Sequence, residues 1–517
     1  MKIKGITTSE SLQRLLAWFL IFLFVYTAVS KLLEFGKFRL QLGQSPLLTA
    51  YADTVAWMVP GLELLLAVML CFAPTRRPAL YGSFLLMVMF TSYIVIILNY
   101  ADFVPCSCGG VLEDLSWSQH IIFNSFFILL TVVAILVFGN TKSQLFKRSI
   151  WLISLAALGS LSMILLFLGS ENQVHRNNGF TRRYPHHPLL QKNTIDLEYN
   201  SFYIAGITLD SIYLGNYTAP LILTAIDRKF TGSSKSKIHI RDDHGYRFKA
   251  IHLQVLGDKL YVGDGKVPVI LRGELCSRNV REIMYNRAYF DQMAVLPSND
   301  FAIRTTRSTN GELTLGKLNI GDTVSVSLQD KLLKKQRDGI FDLDGFLLYS
   351  NSLDAIVYTY RYRNSYLMMN KDLEFLREGK LIDTISEAKL DILYLTSPGE
   401  RKLGPKTVTV TKNAALFKKY LFAQSPNLGK YESRDMLGQA SIIDVYDLRK
   451  NTYVFSFYLY HHRDEKAREF LVDGNQLFAL MGRYLVSFQL NPNSFSPEEF
   501  KNISGRYQDQ DRKPETE

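Results

Sequence analysis

Apolar residues divide the chain near residue 170. Before this point, five mainly apolar runs are each long enough to cross a bilayer, which takes about 20 helical residues. The runs are Leu15–Leu33, Val55–Ala73, Leu80–Tyr100, Ile121–Phe138 and Ile150–Gly169. The pattern predicts an all-α transmembrane bundle, with a four-helix membrane domain over residues 1–140 and a fifth, anchoring helix over 141–170.

The pattern after residue 170 is different. Short runs that are β-branched or alternate between apolar and polar residues recur between turn residues, as in strands. Residues 207–215 and 253–263 share one pattern, and the repeat of just under about fifty residues is typical of propeller blades. We therefore predict an all-β propeller over 196–491 with six blades, although seven would also fit. A linker over 171–195 precedes it, and a polar tail over 492–517 follows.

Basic residues beside the apolar runs predict the orientation, because Lys and Arg accumulate in cytoplasmic loops. They precede the first run and lie within the second-to-third and fourth-to-fifth connections, whereas the third-to-fourth connection has only acidic charges. Lys37 and Arg39 are the exception. Five spans then predict an inner-membrane protein with a cytoplasmic N-terminus and an extracytoplasmic propeller. The net charge of +11 includes no dense basic run with interleaved aromatics, so we expect no nucleic-acid partner.

Two of the four cysteines, Cys106 and Cys108, stand one residue apart in the acidic third-to-fourth connection. A disulfide between them would close a small, strained ring, and strained disulfides are readily reduced. Gly109 and Gly110 give the backbone freedom for both redox forms. We interpret the pair as a thiol–disulfide redox centre. The alternatives are two inert thiols or half of a metal site, but only His120 is close in sequence and we predict no metal.

Ionisable residues inside the apolar runs extend this candidate site, because a charge in lipid is costly and is usually functional. Lys31, Glu63 and His120 all fall toward the side that carries the cysteines, and Asn124 shares a helix face with His120. Lys31 or His120 would stabilise a thiolate, and Glu63 would exchange a proton, so we predict that all three are catalytic. The structural alternative is that Lys31 reaches the interface and pairs with Glu34 or Glu63.

Residues 12–138 resemble the MauE/DoxX family of redox-associated membrane proteins, whose architecture is close to that of the vitamin K epoxide reductase and DsbB-type bundles. The matching segments are Ala28–Leu32, Pro60–Leu64, Cys106–Gly110 and Trp117–His120. The resemblance implies a role in forming disulfides in envelope proteins, as MauE has in the maturation of methylamine dehydrogenase. The DsbB type also has a second cysteine pair, which is missing here. A thioredoxin-like or other envelope protein would then relay electrons, with a quinone in the bundle as the final carrier.

The C-terminal part resembles TolB-like or NHL-like propellers and shows no catalytic constellation. We interpret Cys71 and Cys276 as apolar packing residues, and the segment Asp342–Gly345 has only a weak likeness to a calcium loop. The sequence thus favours a membrane thiol–disulfide redox protein that supports disulfide formation or electron transfer, with a propeller that recruits a partner. The alternative is a membrane-anchored propeller for binding or assembly without redox turnover. A propeller glycosidase or lactonase is less favoured, since no paired carboxylates can be placed.

Overall fold

The structure is a computed structural model that describes residues 8–491, except 46, 49–50, 101–116, 137–141, 178, 186–187, 242–243, 298–299, 322 and 395–400. The chain forms two compact units. The first comprises residues 1–186 with 430–432, and the second comprises residues 187–429 with 433–517. The predicted polar tail lies outside the described residues.

The first unit is helical. Five of its helices, among the residues described, are long and apolar enough to cross a membrane, which confirms the five predicted spans. A short additional helix, α2, follows the first span and was not predicted. The helices are α1 (Thr8–Leu33), α2 (Phe35–Gln44), α3 (Ala52–Cys71), α4 (Arg76–Tyr100), α5 (Trp117–Leu136) and α6 (Lys142–Asn177).

Small side chains bring the helices together. The buried residues of α3 recur every three or four positions, which places them on one face, and three of the six are alanines. Small residues allow helix backbones to approach closely, which favours packing in lipid. Large apolar side chains such as Trp18, Phe22, Trp57 and Trp151 are more than half exposed on the outer surface, as lipid contact requires.

Helix α6 belongs to this bundle. The hydroxyl groups of Ser160 on α6 and Ser92 on α4 lie 3.0 Å apart. A Cβ atom at Gly159 would stand 3.0 Å from the Leu85 side chain, so glycine permits the close approach of the two helices. The fifth span is therefore packed against the other spans, in addition to connecting them to the propeller.

The second unit is built from strands, with one short helix, α7 (Met436–Gln439). The strands are β1 (Leu189–Asp196), β2 (Phe202–Ile207), β3 (Ser211–Asn216), β4 (Ile222–Asp227), β5 (Ser233–Lys237), β6 (His239–Ile240), β7 (Ile251–Leu256), β8 (Lys259–Asp264), β9 (Val269–Glu274), β10 (Asn279–Tyr285), β11 (Gln292–Val295), β12 (Phe301–Thr306), β13 (Leu313–Ile320), β14 (Val324–Gln329), β15 (Gly345–Ser350), β16 (Ala355–Tyr360), β17 (Ser365–Met369), β18 (Phe375–Lys380), β19 (Ile392–Tyr394), β20 (Arg401–Leu403), β21 (Asn413–Phe417), β22 (Tyr420–Ser425), β23 (Ala440–Asp447), β24 (Thr452–Tyr460), β25 (Ala467–Asp473), β26 (Gln476–Met481) and β27 (Tyr484–Leu490).

These strands form six four-stranded antiparallel blades in the described part of the chain, which confirms the predicted six-bladed propeller. Consecutive strands make blade one (β2–β5), blade two (β7–β10), blade three (β11–β14), blade four (β15–β18) and blade five (β21–β24). Blades one and two are joined by parallel pairing of β2 with β7. The hairpin β19–β20 lies between blades four and five.

Blade six combines the two ends of the unit. Strands β25, β26 and β27 are completed by β1, which pairs antiparallel with β27 through partners such as Ile195 and Leu485. Helix α6 continues to Asn177 and β1 begins at Leu189, so regular structure extends into both ends of the segment 171–195, which we predicted as a linker. Strand β1 was not predicted, because it is an outer strand whose mostly exposed residues show no apolar alternation.

The structure also shows the surroundings of Cys71, of Cys276 and of the segment Asp342–Gly345. Cys71 and Cys276 are exposed, so neither is the buried packing residue expected from sequence. In the segment with the weak likeness to a calcium loop, Asp342 accepts hydrogen bonds from the backbone N–H groups of Arg337 and Gly339, both at 2.7 Å. Asp344 binds arginine side chains, so both carboxylates have structural partners.

Candidate functional site

A cavity of about 270 Å³ lies inside the helical unit and is lined by residues of all six helices. Its wall is mainly aliphatic and aromatic. Three of the predicted catalytic residues, Lys31, Glu63 and His120, line this cavity, and so does Asn124. The structure thus brings together side chains from α1, α3 and α5 that are far apart in sequence.

Lys31 and Glu63 form an ion pair across this cavity wall. The Lys31 Nζ lies 2.7 Å from Glu63 Oε1, and the two side chains are 14% and 1% exposed. Glu34, the other partner considered for Lys31, instead lies near Lys37 at 3.6 Å, and both of these side chains are about half exposed. The pairing that the sequence left open is therefore with the buried carboxylate.

Aromatic rings surround the ammonium group of Lys31. Its Nζ lies 5.9 Å from the centre of the Phe38 ring on α2 and 5.8 Å from that of Phe90 on α4. A cation over an aromatic face is attracted by the negative potential of the ring. The rings therefore support a charged Lys31 where water is scarce, and α2 acts as part of the site.

The position of Glu63 follows from the packing of α3. Glu63 lies on the buried face of that helix, between Pro60 and Ala67. Pro60 has no N–H to offer the preceding helical turn, which leaves a carbonyl group without its usual donor. Only one carboxylate oxygen of Glu63 is paired: Oε2 has no hydrogen-bond donor among the residues that the structure describes.

His120 and Asn124 reach the cavity from the first turns of α5. Asn124 is buried, and His120 lies one helical turn before it, with its ring 6.0 Å from the ring of Trp117. Trp117 is the first residue of α5 and also lines the cavity. These groups bring hydrogen-bonding capacity to a wall that is otherwise apolar.

Cys106 and Cys108 lie outside the described residues. The segment that carries them connects the end of α4 at Tyr100 to the start of α5 at Trp117. Chain connectivity therefore attaches this segment to the end of α5 that contributes Trp117 and His120 to the cavity.

Sequence reasoning missed the cavity itself, the helix α2 and the contribution of the fifth span to the cavity wall. Phe35, Phe38 and Leu42 have the three- and four-residue spacing of an amphipathic helix, a signal that could have identified α2. Met163 and Leu166 of α6 also line the cavity. Nothing in the apolar stretch of α6 around them distinguishes these two residues from their neighbours.

The cavity suits a ring-sized apolar ligand with one polar edge. An engineered apolar cavity of roughly 150 Å³ is enough to hold benzene, so this space admits a substituted six-membered ring. Polar groups that converge on an apolar cavity are typical of small-molecule sites. Within the described ranges, no group of three or more His, Cys, Asp or Glu side chains could hold a metal ion.

Polar contacts in the second unit link its blades. Glu469 of blade six accepts a hydrogen bond at 3.1 Å from the backbone N–H of Ile204 in blade one, and burial raises the pKa of Glu469 to about 7. The guanidinium group of Arg304 in blade three binds Asp291 and, at 2.5 Å, Asp344 before blade four. We interpret these contacts as structural because each holds neighbouring blades together.

Comparison with known proteins now adds to this geometry. Residues 9–137 match the family model of methylamine utilisation protein MauE. The first unit is similar to the MauE family over these residues. The match covers about a quarter of the chain, including Lys31, Glu63 and His120, and ends before α6. The wall that α6 adds to the cavity thus lies outside the matched MauE domain.

No curated protein sequence matches the chain. Among solved structures, a member of the DUF4221 family from Bacteroides vulgatus is 12% identical, with a TM-score of 0.39, over 59% of this chain and 97% of its own. The Cps50 (Swd1) β-propeller domain of Myceliophteria thermophila is 12% identical, with a TM-score of 0.34, over 59% and 100%. A putative gluconolactonase is 10% identical, with a TM-score of 0.33, over 61% and 96%.

Proposed function

We propose that this protein is an inner-membrane thiol–disulfide redox protein in which Cys106 and Cys108 cycle between dithiol and disulfide. The observation that supports the proposal most is the convergence of Lys31, Glu63 and His120 on one cavity of the MauE domain. The cysteine segment joins α5 at the end that contributes His120 to this cavity. Ionisable groups are costly in a membrane and need a reason to be there.

The proposed reaction transfers two electrons and two protons from the cysteine pair to a quinone. Formation of one S–S bond from two thiols releases two electrons and two protons. Lys31 or His120 stabilises a thiolate through its positive charge, and Glu63 accepts a proton. A bound quinone supplies a two-electron, two-proton acceptor.

The cavity residues fit such a cofactor. The aliphatic and aromatic wall suits the ring and its apolar substituents, and Lys31 donates to oxygen atoms. The unpaired buried oxygen of Glu63 offers a complementary acceptor on the same wall. We therefore assign quinone binding to the cavity around Lys31 and Glu63.

Partner and orientation form part of the same proposal. An odd number of spans supports a propeller on the opposite side of the membrane from the N-terminus, and the basic residues favour a cytoplasmic N-terminus. Cys71 and Cys276 are far apart in sequence and form no second pair. A thioredoxin-like or other envelope protein would then exchange disulfides with Cys106 and Cys108, and the propeller would recruit it.

Alkylation of the purified full-length protein tests this function. In a Cys71→Ser/Cys276→Ser background, a mass-tagged maleimide should label two thiols after reduction and none after incubation with a quinone. Thiols that remain fully reduced or fully oxidised under both conditions would refute the proposal. Single Cys106→Ser and Cys108→Ser variants should then trap the partner as a mixed disulfide.

The complete propeller supports a second candidate, a membrane-anchored binding or assembly protein. Six closed blades form a full interaction module without any need for redox chemistry. In that case, replacing Cys106 and Cys108 by Ser would leave the cellular phenotype unchanged, whereas deleting the propeller would abolish it. The redox proposal predicts that both changes abolish the phenotype.

A further inference from the structure

Glu63 places a buried acceptor on the wall of a mainly apolar cavity. Its side chain is 1% exposed, Oε1 accepts from Lys31 at 2.7 Å, and Oε2 has no donor among the described residues. A charged acceptor that is buried without a donor carries a desolvation penalty. A ligand that brings a hydroxyl donor to Oε2 would remove this penalty, whereas a ligand with acceptors alone would leave it.

Two hydroxyl groups of the protein that also line the cavity, those of Thr27 and Tyr93, have partners of their own. Thr27 Oγ1 lies beside Glu63, and its proton is directed at the Leu23 carbonyl oxygen at 3.0 Å. The hydroxyl of Tyr93 shares a hydrogen bond of 2.9 Å with Ser45. Lys31, the donor next to Glu63, is directed at Oε1 and is bracketed by Phe38 and Phe90.

We infer that the cavity selects a ring that carries a hydroxyl group, the hydroquinone or phenol class, and that this hydroxyl donates to Glu63 Oε2. The inference rests on the proposed function, because it assigns which form of the quinone cofactor the site prefers. Lys31 also holds the other carboxylate oxygen and so fixes the orientation of Glu63. The aromatic and aliphatic wall accepts the ring in either form, so Glu63 provides the discrimination.

This preference has a consequence for electron flow. A site that binds the hydroxyl-bearing, reduced ring more tightly raises the reduction potential of the bound ring, by about 30 mV for each tenfold preference in a two-electron couple. The site thereby favours electron transfer from thiols to the ring. The geometry thus points to disulfide formation as the preferred direction.

Calorimetric titration of the full-length protein in detergent tests the inference. The probes are trimethylhydroquinone, trimethylbenzoquinone and the dimethyl ether of the hydroquinone, all under argon. A hydrogen bond to a charged acceptor predicts that the hydroquinone binds at least about tenfold more tightly than the other two. Equal affinities for all three probes would overturn the inference. Quenching of tryptophan emission that is lost in Trp117→Phe would assign binding to this cavity.

Matched carboxylate variants separate the role of Glu63 from a general effect of charge. Glu63→Gln should reduce the preference for hydroquinone to below about threefold. Glu34→Gln removes an exposed carboxylate just after the end of α1, near Lys31, and should retain the preference. Equal preferences in the two variants would contradict the inference. If Glu63→Gln does not fold, Glu63→Asp keeps the charge and shortens the reach, and should lose a large part of the preference.

Alkylation of the same preparations distinguishes this inference from the proposed function. If the cysteines cycle with quinone but the protein binds all three rings equally, the inference is refuted and the proposed redox function stands. Ring discrimination with inert cysteines would support the ligand assignment and reject the redox function.

Discussion

The Lys31–Glu63 pair offers a direct test of how the membrane domain tolerates charge. Lys31→Met keeps an unbranched side chain but leaves the Glu63 carboxylate, 1% exposed, without its ionic partner. Removing one partner of a buried ion pair costs about 3–5 kcal/mol, because the remaining charge is uncompensated. We therefore expect Lys31→Met to lose about 3–5 kcal/mol of unfolding free energy.

The double variant Lys31→Met/Glu63→Gln should behave differently, since it removes both charges. Replacing a buried ion pair by neutral side chains of similar volume is often close to neutral. We expect its unfolding free energy to lie within about 1 kcal/mol of the wild-type value. The two substitutions should therefore be strongly non-additive, as expected for groups in direct contact.

Tryptophan fluorescence during denaturant unfolding measures this effect in the helical unit alone. The chain has 4 tryptophans, and all of them lie before residue 152, whereas the propeller has none. Lys37→Met, which removes a half-exposed lysine from the neighbouring helix, provides the control and should change stability by less than about 1 kcal/mol. A Lys31→Met protein as stable as this control, or additive effects in the double variant, would refute the reasoning.

Three further predictions concern the propeller. The pKa of Glu469 is raised from 4.5 to about 7, so the folded state retains a proton that the unfolded state releases. The propeller should therefore lose up to about 3 kcal/mol of unfolding free energy as pH rises from 4.5 to 7. Calorimetry of Glu469→Gln should show a flatter pH dependence. A fragment over 187–491 should unfold in one calorimetric transition, whereas 197–491, which lacks β1, should lose that cooperativity; equal transitions would contradict closure by β1. Arg304→Lys should destabilise the propeller by about 2 kcal/mol, because lysine cannot bind Asp291 and Asp344 together. The control Arg361→Lys lies at a more exposed site and should cost less than about 1 kcal/mol in the same assay.

Local patterns predicted much of the fold. Each span is a continuous apolar run, and the repeat that begins at residue 207 predicted blades, because both signals depend on neighbouring residues. Strand β1 and helix α2 were missed for a physical reason. An outer strand of a blade has little apolar alternation, and a helix of ten residues leaves only three or four apolar positions as its signal.

The candidate site was predictable in its members but not in its arrangement. Lys31, Glu63 and His120 stood out because ionisable groups are rare in apolar runs. Their sequence positions could not distinguish a Lys31–Glu34 pair from a Lys31–Glu63 pair, which depends on how α1 and α3 pack. The roles of these residues and of the cysteine pair stay predictions that the proposed experiments test.

The sequence by itself determined the number of spans, the propeller class and the residue types available for chemistry, because each of these is encoded within a few turns or strands. Only the tertiary structure decided that the three polar residues share a cavity, that Phe38 and Phe90 bracket Lys31, and that one oxygen of Glu63 lacks a donor. Such features depend on the relative rotation and spacing of separate helices. Those are set by side-chain packing over the whole bundle, which no single stretch of sequence contains.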